Sequence, residues 1–349
     1  MRTNKNGEEA AMLPADLCHE EWMKTVKPSL AYDETKDYDT WREQVRQKLT
    51  ELLGDMPERC DLNIRVEYEK EHETYYEKRM IFTSEENAEI PCHLLVPKNV
   101  KLPCPVAICL QGHTTGMHIS MARPIYPPDE GYISRDADFA IQALNNGYAA
   151  LVMEQRGFGE LKSQALLNIF PKSESTCAHP AMTAILMGRT LIGERAWDVS
   201  RAVDLLETMP DIIDPKKIIL TGNSGGGTAT YYAACLEPRI ALTVPSSSIC
   251  TYKDSIIWKR HCPCNYIPNI AKYLDMGELA CLIAPRPLVL VAGVKDDGFH
   301  INGSREVADI VRKIYDRVGA PENFRFIEGP EGHKYYPNLS WPVVHEYID

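Results

Sequence analysis

Five residues, Gly222-Asn223-Ser224-Gly225-Gly226, constrain the fold of this chain more than any other feature. They stand between the apolar run Lys217-Ile218-Ile219-Leu220-Thr221 and a helix-like stretch from Gly227 to Leu236. A strand that turns at once into a helix around one strained residue leaves no room for Cβ atoms two positions away, so glycine is the residue that fits on both sides. Such a turn pushes the Ser224 hydroxyl out at the C-terminal edge of a sheet and aims the Gly225 N–H at the space before it. The pattern predicts a strand, a nucleophile elbow and a helix, with Ser224 as nucleophile and Gly225 as an oxyanion donor. The bland alternative is a glycine-rich structural turn.

Around the elbow the chain alternates short apolar runs with helical ones. Strands are predicted at Val106–Leu110, Ala149–Met153, Ile218–Leu220, Ala241–Pro245, Leu288–Ala292 and Phe324–Ile327. Helical segments follow most of them, which implies βα units and a largely parallel sheet covered on both faces. Between Leu62 and Pro97 the pattern is alternating, as expected of antiparallel strands that open the sheet. Residues 1–60 read as polar and helical, with Trp41, Val45, Leu49 and Leu52 on one helix face and Gly54 as C-cap. We therefore expect an α/β fold: an N-terminal helical extension over 1–60, docked on one catalytic domain over 61–349.

With 349 residues, 44% of them hydrophobic, the chain can bury a substantial core. Its net charge of −11 argues against nucleic acid or an anionic membrane as partner. A small-molecule substrate fits better, and homo-oligomerisation is left open. No run of eighteen apolar residues occurs, and the N-terminus has no apolar stretch behind its positive charges, so no membrane span and no secretory signal are expected. Eleven scattered cysteines suit free thiols in a reducing cytoplasm better than a disulfide framework. Cys262-Pro263-Cys264 beside His261 offers soft ligands but lacks a second ligand pair, and His113 with His118 has no supporting cysteine or carboxylate spacing. No metal and no other cofactor is expected.

A serine hydroxyl needs a base within reach and an acid to orient that base. Downstream of Ser224 the histidines are His261, His300, His333 and His345. His333 ends the loop Glu328-Gly329-Pro330-Glu331-Gly332 after the last predicted strand, where a sheet delivers functional side chains, and is the expected base. His345 falls in a terminal helix, Trp341–Ile348, opened by Ser340 and Pro342, and reads as structural. The acid should leave the strand ending at Ala292, in Gly293-Val294-Lys295-Asp296-Asp297-Gly298. Asp296 is favoured, with Asp297 as a solvated turn carboxylate. After Leu110, Gly112 lets the backbone approach the site, so that the N–H of His113, or else of Thr114, becomes the second oxyanion donor. Arg156 and Glu160 are expected to hold each other, and Arg195, Asp198 and Arg201 to be ion-paired helix residues. Tyr252, Trp258 and Tyr266 offer aromatic pocket walls, or equally lid packing.

The set Gln111-Gly112-His113, Arg156-Gly157-Phe158-Gly159, Gly222 to Gly226, Asp296 and Gly332-His333 resembles the α/β-hydrolase superfamily, in the branch of dienelactone hydrolase-like proteins and acetyl xylan esterases. The similarity runs from about residue 65 to the C-terminus, with the motifs in the expected order. Phe158 replaces a glutamine usual in acetyl xylan esterases, and Lys334 follows His333 where they usually have glutamate. Dienelactone hydrolases proper carry a cysteine where Ser224 stands. The resemblance implies hydrolysis of carboxylic esters, with short acyl groups on a carbohydrate or similar alcohol. A prolyl oligopeptidase-like peptidase would bring a β-propeller that sixty extra residues cannot form. A binding protein that keeps the fold without catalysis is the remaining alternative.

Overall fold

Hydrophobic residues alternate along the central strands, and each half of the alternation finds its own core. In the computed structural model, which describes residues 14–257 and 259–349, strands β1 (Arg65–Glu71), β2 (Tyr75–Glu85), β3 (Ala88–Pro97), β4 (Cys104–Leu110), β5 (Ala149–Met153), β6 (Ile213–Asn223), β7 (Leu242–Ser246), β8 (Leu288–Gly293) and β9 (Phe324–Gly329) form one sheet. The order across it is β1-β2-β3-β5-β4-β6-β7-β8-β9. β1, β2 and β3 pair antiparallel, as does β3 with β5, and from β5 through β4 to β9 every pair is parallel.

The helices are α1 (Leu17–Thr25), α2 (Tyr38–Leu53), α3 (Asp129–Ile133), α4 (Phe139–Asn145), α5 (Ala178–Leu186), α6 (Leu191–Glu207), α7 (Gly225–Leu236), α8 (Ile301–Arg317) and α9 (Pro337–Ile348). Val106, Ile108 and Leu110 of β4 join a core with residues of α2, α6, α7 and α8. Ala107 and Cys109, one residue out of phase, join a second core with α4 and α9. Period-two burial on both faces is what a sheet sandwiched between helices demands.

α2 buries Trp41, Val45, Leu49 and Leu53 in the first core. Leu53, not Leu52, completes the stripe, because a spacing of four keeps the residues on one line under the sheet. Asp37 caps α2 by accepting from Thr40 N–H at 2.9 Å, and Trp41 donates its indole N–H to Leu30 C=O at 2.9 Å. α9 begins four residues earlier than expected, at Pro337, and carries Pro342 inside it. No helix among the described residues is long and apolar enough to cross a membrane.

The chain leaves β4 for β5 on one side and comes back to β6 on the other, so β4 and β6 are neighbours that flank the point where the winding reverses. Loops leaving their C-terminal ends splay apart there and open a crevice, the usual place for a site in an open α/β sheet.

Candidate active site

Ser224 stands at that crevice, between β6 and α7, with φ +57° and ψ −125°. A non-glycine residue held there costs on the order of 1–3 kcal/mol and persists only where its surroundings fix it. They do so closely. Ser224 N–H donates to Ser246 C=O at the end of β7 at 2.9 Å, and Ser224 C=O accepts from Thr228 N–H at 2.8 Å. A Cβ on Gly222 would lie 2.7 Å from the Gly226 carbonyl and from Leu110 C=O, and one on Gly226 would run into Leu110 and Gln111. The two glycines read from the sequence are thus required by the strand-to-helix reversal and by the neighbouring β4 loop.

On one side of the elbow, His333 Nδ1 lies 2.8 Å from Asp296 Oδ2. The Asp296 carboxylate is buried, and its Oδ1 accepts from Gly298 N–H at 2.9 Å and Phe299 N–H at 3.1 Å. Asp297 points the other way: its carboxylate is 83% exposed and pairs with Lys259 at 2.7 Å, which holds it below the ordinary range. Phe299 stacks parallel on the His333 ring at 5.9 Å and meets His261 edge-on at 4.9 Å on its other side. His261 itself bonds to Gly298 C=O at 3.1 Å, and burial lowers its pKa. The His333 loop is fastened to the elbow's own support, since Ser246 and Ser247 hydroxyls donate to Lys334 C=O at 3.3 and 3.1 Å. Tyr336 donates to Gly332 C=O at 2.6 Å, with its ring against Gly329 where any side chain would collide. Phe299 and Tyr336 carry no motif, and nothing in the sequence marked them.

On the other side, the loop after β4 comes so close that a Cβ on Gly112 would lie 3.0 Å from Ser224 Cβ. Thr114 N–H is turned back to Gly112 C=O at 2.8 Å, which takes it out of the pair of candidate amides, His113 and Thr114. Gly225 opens α7, where first-turn amides have no acceptor within the helix. The Cε1–Nδ1 edge of the His113 imidazole lies against Gly225, whose Cβ, if present, would be 2.8 Å from Nδ1. Its Nε2 sits 3.2 Å from Cys264 Sγ, and Cys177 and Cys262 complete a group whose ligand atoms all lie within 4.8 Å of one another. His118 goes elsewhere, to Asp129 at 3.0 Å. The two histidines considered as a pair therefore separate, while Cys262 and Cys264 acquire the two further partners the sequence withheld.

Beneath this side, Glu154 at the end of β5 is fully buried. It accepts from Met117 and Glu160 N–H at 3.2 Å each, and burial raises its pKa to about 7. Arg156 and Glu160 do not meet. Arg156 bridges Asp198 at 2.7 Å and Glu85 at 2.7 Å, whereas Glu160 pairs with Arg79 at 2.7 Å, because Arg156 turns under the sheet toward α6. Asp198 and Arg201 are ion-paired as expected, Arg201 with Asp204. Arg195 is not, and no carboxylate is its partner among the described residues; it caps the Phe158 ring at 4.4 Å and donates to Arg156 C=O.

The expected aromatic walls fare differently. Tyr252 is buried and bonds its hydroxyl to that of Tyr232, and Tyr266 donates to Ile256 C=O at 3.1 Å. Both line a cavity of about 960 Å³ with Trp22 and Met23 of α1, and none of Ser224, Asp296 and His333 borders it. The segment after β7 turns these rings toward the N-terminal helices instead of toward the elbow. Trp258 lies outside the described residues.

A mostly parallel sheet wrapped on both faces, a strained serine between β6 and α7, and a carboxylate–imidazole pair delivered after β8 and β9 define an α/β-hydrolase fold. The profile of the abhydrolase family matches residues 16–335, and the chain belongs to that family. A Bacillus subtilis (strain 168) protein assigned as a hydrolase, YtaP, is 25% identical over 298 residues, covering 84% of this chain and 94% of the relative. A 4-O-methyl-glucuronoyl methylesterase from Wolfiporia cocos is 27% identical over 179 residues, 44% of each chain, so the match to that esterase spans less than half its length. Among solved structures, a Bacteroides fragilis protein assigned as an acetyl xylan esterase superposes with a TM-score of 0.75 at 17% identity, covering 94% of this chain and 84% of the other. The glucuronoyl esterase of Solibacter usitatus gives 0.68 at 16% identity, with 93% and 97% covered, and these two likenesses concern the fold.

Proposed function

We propose that this protein is a serine esterase that cleaves carboxylic esters of a carbohydrate or similar small alcohol, with short acyl groups preferred. The observation that carries the reading is the buried Asp296 carboxylate held against His333 Nδ1 at 2.8 Å, on a loop tied through Ser246 to the strained Ser224. In the reaction His333 Nε2 takes the Ser224 proton as Oγ attacks the ester carbonyl. The N–H groups of Gly225 and His113 receive the developing oxyanion. Asp296 orients the imidazole and balances its charge; His333 then hands the proton to the leaving alcohol and activates water for deacylation. Kinship with esterases supports ester chemistry over peptide cleavage.

The likeness to glucuronoyl methylesterases favours a second substrate reading, in which the sugar lies on the acyl side as a uronic acid ester. Parallel assays on acetylated xylose and on an alkyl glucuronate separate the two. The test of the mechanism is p-nitrophenyl acetate hydrolysis by the wild type and Ser224→Ala. A loss of at least about 10³-fold is expected, as for triad serines generally. Equal turnover in both proteins refutes Ser224 as nucleophile.

A further inference from the structure

Three thiols and an imidazole converge beside the elbow from three separate stretches of chain. His113 comes from the loop after β4, Cys177 from the residue before α5, and Cys262 and Cys264 from the segment after β7. Cys177 and Cys264 are buried, and Cys177 Sγ lies 2.8 Å from Cys262 Sγ. Four ligand atoms around a tetrahedral zinc stand roughly 3.5–3.8 Å apart, given Zn–S near 2.3 Å and Zn–N near 2.0 Å. The separations here, from 2.8 Å to at most 4.8 Å, bracket that value, so small rotations suffice to place all four on one ion.

The surroundings suit a group that is negatively charged once assembled. Arg195 is 1% exposed and has no carboxylate partner among the described residues, and its Nη1 finds no oxygen or nitrogen acceptor. A buried charge is strongly unfavourable unless something compensates it. A divalent ion with three thiolates carries a net charge of −1, which Arg195 neutralises. Phe158 closes the nest, edge-on to His113 at 5.2 Å and beneath Arg195. Gly157, at φ +88°, brings its own backbone against Cys177, where a Cβ would lie 2.6 Å from Cys177 Cα.

We propose that His113, Cys177, Cys262 and Cys264 form a closed Cys₃His site for a structural zinc ion. The ion fastens the β4 loop, α5 and the 262–264 segment together at the rim of the crevice. The three thiols bind as thiolates and release their protons to solvent as the ion enters, while His113 binds as neutral imidazole through Nε2. Zinc suits the soft, all-S/N donor set and leaves no coordination position open for water or substrate. The ion is thus a brace for the loop that carries the His113 amide and takes no part in bond cleavage.

The test begins with untagged protein grown with zinc and purified under reducing conditions without chelator. Elemental analysis is expected to find about one zinc per chain. Apo protein reloaded with cobalt(II) should show the intense visible bands of tetrahedral cobalt together with thiolate-to-cobalt charge transfer. Cys177→Ser and Cys262→Ser should lose both signals, and Cys60→Ser, remote from the group, should keep them. Protein without zinc whose reduced apo form shows no thiolate–cobalt bands overturns the proposal. So does a Cys177–Cys262 disulfide as the main form in protein freshly isolated under reducing conditions. Metal content and spectra are read independently of ester turnover, so failure of the esterase reading leaves this result standing, and the converse.

Discussion

Ser224 has two flanks built from different chemistry. Toward β8 and β9, Asp296 and His333 form a polar pair on loops anchored by backbone amides and by Ser246, Ser247 and Tyr336. Toward β4 and β5, the His113 imidazole faces sulfur, backed by Phe158, Arg195 and the buried Glu154. In the proposed mechanism the first flank keeps one imidazole aligned while its protonation changes, and the carboxylate beside it already accepts two backbone amides. In the same proposal the second holds a backbone amide still by gripping that residue's side chain from behind. Two histidines that look alike in sequence thus sit in opposite settings: the His333 ring pairs with a carboxylate, and the His113 ring faces sulfur.

Substituting the two adjacent aspartates breaks the first flank most sharply. Asp296→Asn is expected to lower kcat by about 10⁴-fold, the size of effect seen when a triad acid is neutralised and the imidazole tautomer is lost. Asp297→Asn, exposed and paired with Lys259, should stay within a few-fold of the wild type. Steady-state kinetics on p-nitrophenyl acetate decide it, and similar losses in both variants would remove Asp296 from its role.

The contrast between the flanks also separates what was legible in the sequence from what was not. Ser224, Gly222 and Gly226 lie within five residues, and their steric logic is local, so one window of sequence contains the argument. Asp296 and His333 each lie in the loop after a recognisable strand, and topology does the rest; only the direction of two neighbouring side chains stayed open between Asp296 and Asp297. The sulfur group draws on residues 113, 177, 262 and 264, and no spacing rule links them. Cys262-Pro263-Cys264 did signal soft ligands, but its partners are brought in by the fold. Phe158, which departs from the motif of acetyl xylan esterases, makes physical sense once His113 and Arg195 are seen on its ring. Likewise Tyr252 and Tyr266 had the right chemistry for a sugar pocket, yet packing turned them toward α1.

The buried carboxylates of the two flanks differ in a way that pH can read. Asp296 has an imidazole beside it, whereas Glu154 accepts from backbone N–H groups with Glu160 and Lys162 as its charged neighbours, and burial raises it from 4.5 to about 7. In the unfolded chain Glu154 loses its proton near the ordinary value; in the native protein it keeps it until about 7. Its contribution to stability is therefore complete below the ordinary value, falls as pH rises through this window, and is flat above it, a change on the order of 3 kcal/mol. Asp275, raised to about 7 by burial, acts in the same window, so the difference between proteins is what isolates Glu154. Denaturant unfolding of Glu154→Gln between pH 4.5 and 8 should show a shallower fall than the wild type, and parallel curves would mean that Glu154 is ionised in the fold.

The smallest expected effect tests whether the second flank is held by charge or merely by shape. If three thiolates and a divalent ion leave one negative charge beside Arg195, removing the guanidinium should weaken the metal without displacing a ligand. Groups that support metal ligands from behind contribute roughly 10- to 100-fold in affinity. Arg195→Met keeps the length and the contact with Phe158 but discards the charge. Arg195→Lys retains the charge while giving up the paired N–H donors to Arg156 C=O. Chelator competition should therefore rank zinc affinity as wild type, then lysine, then methionine. A structural role alone predicts a different order, because both variants lose the planar fork that holds the Arg156 carbonyl, and both would then release zinc alike. Equal affinity in the wild type and the methionine variant would make the sulfur group electrically neutral, with Arg195 a packing residue on Phe158.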